Sequence, residues 1–147
     1  MTLQPRIQRM LDGEGAPAWR WMGLKMLEAE HGRTLISMTV VEEMRNHQGV
    51  CHGGFLAMLA DSAMGSSLAT VLPEGERHMS FDLKVTFMKP FKVGDTVRCE
   101  ARVIHSGRRT GVTEATLMTA DGALAGTASA SFIVYLPEQN MLPEQYK

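Results

Sequence analysis

The first regular pattern in the chain is a pair of short runs in which apolar and polar residues alternate. Residues 24–30 and 33–41 are separated by a His-Gly pair, which is typical of a tight hairpin turn. In the second run, apolar residues such as Ile36 and Met38 occupy every second position, the period of a half-buried strand. The pattern predicts two antiparallel strands.

A long apolar run follows a polar loop at residues 42–51. It extends from Gly53 to Leu72 without a polar face, and Pro73 stops it. A helix that is hydrophobic on every side is normally buried. One carboxylate, Asp61, lies in the middle of the run, and an unpaired buried charge is costly. Asp61 therefore needs a partner, a wet cleft or a chemical role.

Four further strands are predicted after this helix. They cover residues 79–88, 97–103, 112–119 and 124–136. In the first of them every second residue from Phe81 to Phe87 is apolar, so these side chains share one face. The short connections, among them Asp121-Gly122, predict antiparallel neighbours. We therefore predict an α+β fold in which an antiparallel sheet curls round the long helix and buries it on nearly every side.

The two ends of the chain are predicted to be peripheral. Residues 1–20 form a short helix at 3–11 and a loop, and residues 137–147 form a poorly packed tail. Trp19, Trp21 and Met22 form a local apolar cluster. This cluster either anchors the N-terminal segment on the core or lines a ligand pocket.

Composition narrows the class of protein. The 147 residues suit one domain, and a formal charge of −1 gives no reason to expect a nucleic-acid partner. Cys51 and Cys99 are isolated, which argues against a disulfide framework and a zinc site. Asp61 and the serines and glycines of the apolar run argue against a membrane span. No apolar targeting region follows a basic start, so we expect a cytoplasmic protein.

The residues around the long helix carry a recognisable pattern, Asn46-x5-His52-Gly53-Gly54-x6-Asp61. It resembles the hotdog-fold acyl-CoA thioesterases of the phenylacetate-pathway (PaaI-like) type. The resemblance covers about residues 35–135 and includes segments downstream of the helix, namely 79–83, 87–90, 94–95 and 121–122. It implies a hotdog fold, hydrolysis of an acyl-CoA thioester without metal or redox cofactor, and paired helices in a dimer or a dimer-of-dimers tetramer.

The start of the helix and its carboxylate suit this chemistry. Backbone N–H groups at a helix N-terminus are free and point outward, and glycine lets a carbonyl approach closely. We therefore expect the Gly53 N–H to stabilise the oxyanion, with Gly54 beside the substrate. Asp61 is the candidate nucleophile or general base. The alternatives are a tight turn at the glycines and a structural, paired Asp61.

The spacing of these two groups predicts a shared site. Eight residues on a helix span about 12 Å along its axis, which is too far for both groups to touch one carbonyl. Gly53 and Asp61 must then come from different subunits, and a twofold dimer would hold two sites at its interface.

Three further polar residues receive roles from the resemblance. Asn46 orients the attacking water or the thioester, Ser80 positions water beside the carboxylate, and His52 orients the loop or the thioester region. Each has a structural alternative: a turn-forming asparagine, an exposed strand hydroxyl and a structural histidine.

Other side chains are candidates for binding the substrate. Arg108 and Arg109 are the first candidates for the phosphates of coenzyme A, followed by Lys89 and Lys92, although two arginines in a turn are often simply solvated. The acyl group is expected to meet apolar side chains near the motif, drawn from Trp21, Phe55, Met58, Met64 and Met88.

The predicted function is hydrolysis of an aryl- or medium-chain acyl-CoA to the free acid and coenzyme A. One alternative is a hotdog-fold dehydratase or hydratase acting on 3-hydroxyacyl or enoyl thioesters, because the fold alone does not decide the reaction. The other is a non-catalytic acyl-CoA-binding module.

Overall fold

The computed structural model describes residues 3–138, which contain three α-helices and six β-strands. The helices are α1 (Pro5–Leu11), α2 (Pro17–Met22) and α3 (Gly53–Ala69), with a single 3-10 turn at Glu42–Met44. The strands are β1 (Lys25–Glu30), β2 (Arg33–Thr39), β3 (Arg77–Phe87), β4 (Thr96–Ser106), β5 (Thr110–Met118) and β6 (Leu124–Tyr135). The predicted order of elements is confirmed. The prediction that residues 137–147 form a tail falls mostly on residues outside the described range.

The six strands form one antiparallel sheet in the order β1-β2-β4-β5-β6-β3. The sequence-adjacent pairs β1-β2, β4-β5 and β5-β6 are hairpins, as the turn signals predict. The chain leaves the sheet after β2 to form α3 and returns at the opposite edge as β3, which pairs with β6. Strands β1 and β3 are therefore the two edges.

Helix α3 lies against the concave face of the sheet and contacts five of its strands, β2 to β6. His52 precedes the helix in an extended conformation and caps it, and Thr70 ends it shortly before Pro73. The sheet covers the second half of the helix completely, because every residue from 63 to 69 is buried. In residues 3–138, no helix is long and apolar enough to cross a membrane.

The prediction that α3 is buried on nearly every side is wrong for its first half. Gly54, Ala57, Met58, Asp61 and Ser62 are half-buried or exposed within one protomer. Their spacing of three and four residues makes them one stripe along the helix. The sheet leaves this stripe only partly covered within one protomer.

Strand β3 also departs from the usual arrangement of a core-facing strand. Its alternating apolar residues are exposed, with Phe81 at 60% and Phe87 at 50% of their full surface, and Leu83 at 40%. Because β3 is an edge strand with one neighbour, these side chains and its free backbone groups face outward. Together with the helix stripe they form a continuous, partly apolar surface, called here the β3 face.

The sequence pattern missed the short helix α2. It begins at Pro17, a residue that favours the first position of a helix, and ends at Gly23 with a left-handed conformation of φ 67°. The helix buries Trp19 and Met22 in the core and leaves Trp21 75% exposed. The anchoring role predicted for the cluster is therefore confirmed for Trp19 and Met22 and wrong for Trp21.

Candidate functional site

Asp61 stands out among the polar side chains of α3. Ser67 and Thr70 donate their hydroxyls to helix carbonyls at 2.8 and 2.6 Å, and Thr34 of β2 donates to the Ala63 carbonyl at 2.8 Å. In contrast, Oδ1 of Asp61 is buried and accepts no hydrogen bond within the described residues. A buried carboxylate oxygen without a donor costs free energy. We therefore expect Oδ1 of Asp61 to accept a hydrogen bond from a ligand, a water molecule or a second chain.

Asp61 opens into a cavity of about 360 Å³ between α3, β3 and the N-terminal helices. Ser80, which the sequence analysis paired with Asp61, lines the same cavity. Ser80 is opposite Phe132 of β6, and the next residue, Phe81, is a β-bulge. Bulges are common beside active sites because they redirect a side chain. The structure therefore brings the predicted carboxylate and the predicted hydroxyl together.

His78 is a further polar residue of this cavity that the sequence analysis treated as incidental. It lies two residues before Ser80, so both side chains point to the same face of β3. Its ring is edge-on to Phe132, with centroids 5.3 Å apart, and a Cβ on Gly65 would be 3.1 Å from its Cε1. Burial and, secondly, the charge of Arg6 lower the pKa of His78 to about 4. His78 is therefore neutral at pH 7.

We expect the protein to lose stability as the pH falls from 6.5 towards 4. Unfolded His78 binds a proton near its ordinary pKa of 6.5, whereas the folded residue does so only near 4. Protonation in that window therefore favours the unfolded state, by about 2 kcal/mol at pH 5. Urea unfolding at pH 7 and pH 5 should show a smaller loss for His78→Gln than for the wild type. Equal losses in both proteins would contradict this assignment.

The start of α3 forms a second group of candidate residues. The Nδ1 atom of His52 accepts the Gly54 N–H at 3.3 Å, so His52 is a helix cap. Neutral His52 then carries its proton on Nε2. The Gly53 N–H has no acceptor within the described residues, and a Cβ on Gly53 would be 3.0 Å from the Phe87 ring. Gly53, and not Gly54, therefore offers a free donor at the positive end of the helix.

Asn46 lies near this helix start in a second cavity, of about 430 Å³, which it lines with Arg45, His47 and His52. Its Oδ1 accepts the N–H groups of Gln48 at 2.9 Å and Val50 at 3.3 Å. The side-chain oxygen is thus used in a turn, which is the structural alternative considered above. The side-chain amide of Asn46 remains free to donate, and its part in catalysis stays a prediction.

The candidate residues therefore form two groups within one protomer. Asp61, Ser80 and His78 line the first cavity, whereas Asn46 and His52 line the second, next to Gly53. Gly53 and Asp61 lie on one continuous helix, so about 12 Å of helix axis separates them. One carbonyl cannot contact both within a protomer.

The residues predicted to bind substrate are dispersed. Arg108 and Arg109 lie in the exposed β4-β5 turn, close to the end of β6, whereas Lys89 follows the other end of β3. These positions are at opposite ends of a sheet whose long strands extend over about 30 Å. The four basic candidates thus form no single cluster in one protomer, and their phosphate-binding role stays a prediction.

The apolar candidates also separate. Phe55 and Trp21 line a third cavity of about 340 Å³, together with Met22 and Met44. Met64 is fully buried in the core, so the expectation that it forms part of an adaptable pocket wall is wrong. Met58 is half-buried on the helix stripe, and Met88 is 50% exposed beyond β3.

The two cysteines are buried thiols. Burial raises the pKa of Cys51, and burial followed by the charge of Glu100 raises the pKa of Cys99 to about 12. Both therefore remain protonated at pH 7, which is unsuitable for a nucleophile. Within residues 3–138, no three His, Cys, Asp or Glu side chains come together as a metal site would require.

Comparison with known proteins agrees with this geometry. The model of the thioesterase superfamily matches residues 48–125, just over half of the chain, a span that includes Gly53, Asp61 and Ser80. The chain therefore belongs to the thioesterase superfamily. Acyl-coenzyme A thioesterase PaaI of Escherichia coli (strain K12) is 32% identical over 91 residues, which cover 62% of this chain and 63% of that protein. The match thus spans about three fifths of this curated relative.

Solved structures share the whole fold. The E. coli PaaI protein from the phenylacetic acid degradation operon has a TM-score of 0.78 and 23% identity, covering 90% of this chain and 95% of that one. A Streptococcus mutans UA159 protein solved with acetyl CoA has a TM-score of 0.71 and 25% identity, covering 77% and 89%. The six-stranded sheet around α3 is therefore the predicted hotdog fold.

Proposed function

We propose that the protein is an acyl-CoA thioesterase that hydrolyses its substrate to the free acid and coenzyme A. The observation that carries the proposal is the unpaired, buried Oδ1 of Asp61 in an open cavity. The name of the E. coli relative and the acetyl CoA bound to the S. mutans structure support the same reaction and the same carrier.

In this proposal Asp61 supplies the negative group that starts the reaction. It either removes a proton from water or attacks the thioester carbonyl itself. Ser80 lies in the same cavity and is suited to hold the water molecule. The Gly53 N–H and the helix dipole stabilise the oxyanion that forms on the carbonyl. The Nδ1 atom of His52 keeps the Gly54 N–H occupied, and the amide of Asn46 donates to the thioester region.

The proposal requires two protomers for each site. Under a twofold axis that places Gly53 of one chain opposite Asp61 of its partner, the two α3 helices run antiparallel and cross near Ala57, midway between those positions. Ala57 is small and half-buried, which allows a close approach of the two helices. The exposed apolar residues of the β3 face support this contact, because a soluble monomer rarely exposes such an edge.

A panel of aryl- and fatty acyl-CoAs, followed by release of free thiol, tests the reaction. We expect release from at least one substrate class, without addition of a metal or a redox cofactor. A change in enoyl absorbance without thiol release would instead indicate a dehydratase or hydratase. Tight binding of acyl-CoA without either product would indicate a binding module.

Two parts of the proposal rest on the family resemblance and the sequence pattern. A dimer-of-dimers tetramer is expected from the resemblance, and sedimentation equilibrium distinguishes it from a dimer. A cytoplasmic location is also proposed, and cell fractionation tests it.

A further inference from the structure

The Asp61 cavity is also lined by a cation whose inner nitrogen atoms are buried. Arg6, on α1, lines the same cavity as Asp61, and its Nε and Nη2 atoms are buried without a hydrogen-bond partner in the described part of the chain. These atoms carry three N–H donors. Buried guanidinium donors without acceptors cost free energy. We therefore expect them to bind an oxygen-bearing ligand or partner.

The surroundings of Arg6 provide no balancing acid among residues 3–138. The charged or titratable groups with which Arg6 interacts electrostatically are Arg77 and His78, and Arg6 forms no ion pair with Asp61. Burial and the charge of Arg77 lower the pKa of Arg6, as expected for a guanidinium that no carboxylate neutralises. The cavity is therefore electrostatically divided, with an acid on one wall and a cation on another.

Arg6 is held in place by elements that belong to the core. The next residue, Ile7, is fully buried, and the side-chain amide of Gln4 donates to the Leu72 carbonyl beyond α3. The remaining walls of the cavity are largely apolar and include Ile7, Met10, Trp19, Ala69 and Phe132. An acyl chain fits such walls, and only its distal end would need a polar partner.

We infer that this cavity binds the acyl part of the substrate and that Arg6 receives a carboxylate at its distal end. The inference rests on the proposed thioesterase function and names its substrate class, an ω-carboxyacyl-CoA. The fork of Nε and Nη2 matches the two oxygens of a carboxylate. The phosphates of coenzyme A lie on the other side of the sulfur and do not reach into the acyl cavity.

Matched substrates that differ only in the terminal group test the inference. Butanedioyl-, hexanedioyl- and octanedioyl-CoA are compared with butanoyl-, hexanoyl- and octanoyl-CoA by thiol release. We expect kcat/KM to favour the dicarboxylic member of at least one pair by about 10- to 100-fold, the range of a charge-assisted hydrogen bond. In Arg6→Met, which keeps an apolar stem, this ratio should fall to about 1.

Arg6→Lys is the second variant, because it keeps the charge but loses the planar fork, and it should retain only part of the preference. Each preference is a ratio within one protein, so a general loss of folded enzyme does not imitate the effect. A ratio near 1 in the wild type, or a preference that persists in Arg6→Met, would overturn the inference while leaving thioester hydrolysis intact.

Hydrolysis of neither series would instead count against the proposed function. Binding then decides the inference separately, using thioether analogues of coenzyme A that carry a carboxyalkyl or an alkyl chain of equal length. Calorimetric titration should show at least about 10-fold tighter binding of the carboxyalkyl analogue to the wild type and not to Arg6→Met. Equal binding of the two analogues would exclude Arg6 as a carboxylate site.

Discussion

Asp61→Asn is expected to lower kcat by at least about 10²-fold, the usual scale for a positioned base. The change removes one negative charge and almost no volume, so the cavity and the helix keep their shape. Thiol release measured at saturating acyl-CoA gives the comparison. A kcat within a few fold of the wild type would remove Asp61 from the mechanism and with it the main support for the proposed site.

The stability of the same variant separates a catalytic role from a structural one. If Asp61 were a paired structural residue, its loss would destabilise the protein. Because Oδ1 has no donor among residues 3–138, we expect Asp61→Asn to unfold at the same temperature as the wild type or higher. Glu114→Gln, an exposed carboxylate of β5, is the matched control and should change neither activity nor stability.

The outline of the fold was predictable because most of its strands are covered on one face only. Alternation in β4 and β5 reports that half-burial directly, and the turn at Asp121-Gly122 sets the last hairpin. Strand β2 also alternates in sequence, but the prediction that it is half-buried is wrong, because residues 34–38 are all buried. Helix α3 has no polar face, which predicts burial, and the sheet buries its second half completely. Helix α2 was missed because its six residues contain no complete repeat of a helical pattern.

The errors concern surfaces that one chain cannot cover. The alternation in β3 predicts one shared apolar face, yet Phe81 and Phe87 are exposed on an edge strand. The first half of α3 is apolar but has a half-open stripe around Ala57. The hydrophobicity of a residue predicts that it is buried, but it does not predict whether the same chain or another copy of the chain covers it.

The candidate site was predictable only in part. Asp61 attracted attention because a lone carboxylate in an apolar helix is energetically unusual, and Ser80 came from the family resemblance. Arg6 and His78 reach the same cavity from elements that are distant along the chain. Only tertiary packing brings them together, although the two-residue spacing of His78 and Ser80 on a predicted strand places them on one face.

Replacing Gly53 by proline is expected to lower kcat by about 10²- to 10³-fold, the range for loss of one oxyanion donor. Gly53 is the first residue of α3, where proline is well tolerated, and the N–H that the change removes has no acceptor in the described part of the chain. His52 is already extended, with φ −64° and ψ 134°, as a residue before proline requires.

Gly53→Ala is the matched control for this variant. Alanine keeps the N–H but introduces the same Cβ, 3.0 Å from the Phe87 ring, which must move in both variants. The difference in kcat between the two variants therefore excludes the effect of the Cβ and reports the loss of the donor together with the ring atoms that proline adds. Equal activities would show that the Gly53 N–H does not contact the oxyanion.

Mixed dimers of Gly53→Pro and Asp61→Asn test whether the site is shared. If Gly53 and Asp61 act from different subunits, each heterodimer contains one intact site and one site with both defects. Refolding the two inactive variants together in equal amounts should then restore about a quarter of the wild-type activity, because half of the dimers are mixed and half of their sites are intact. If both groups acted within one chain, no intact site would form. The mixture would then stay as inactive as its components. That outcome would conflict with the geometry of α3, in which about 12 Å of one continuous helix separates Gly53 from Asp61.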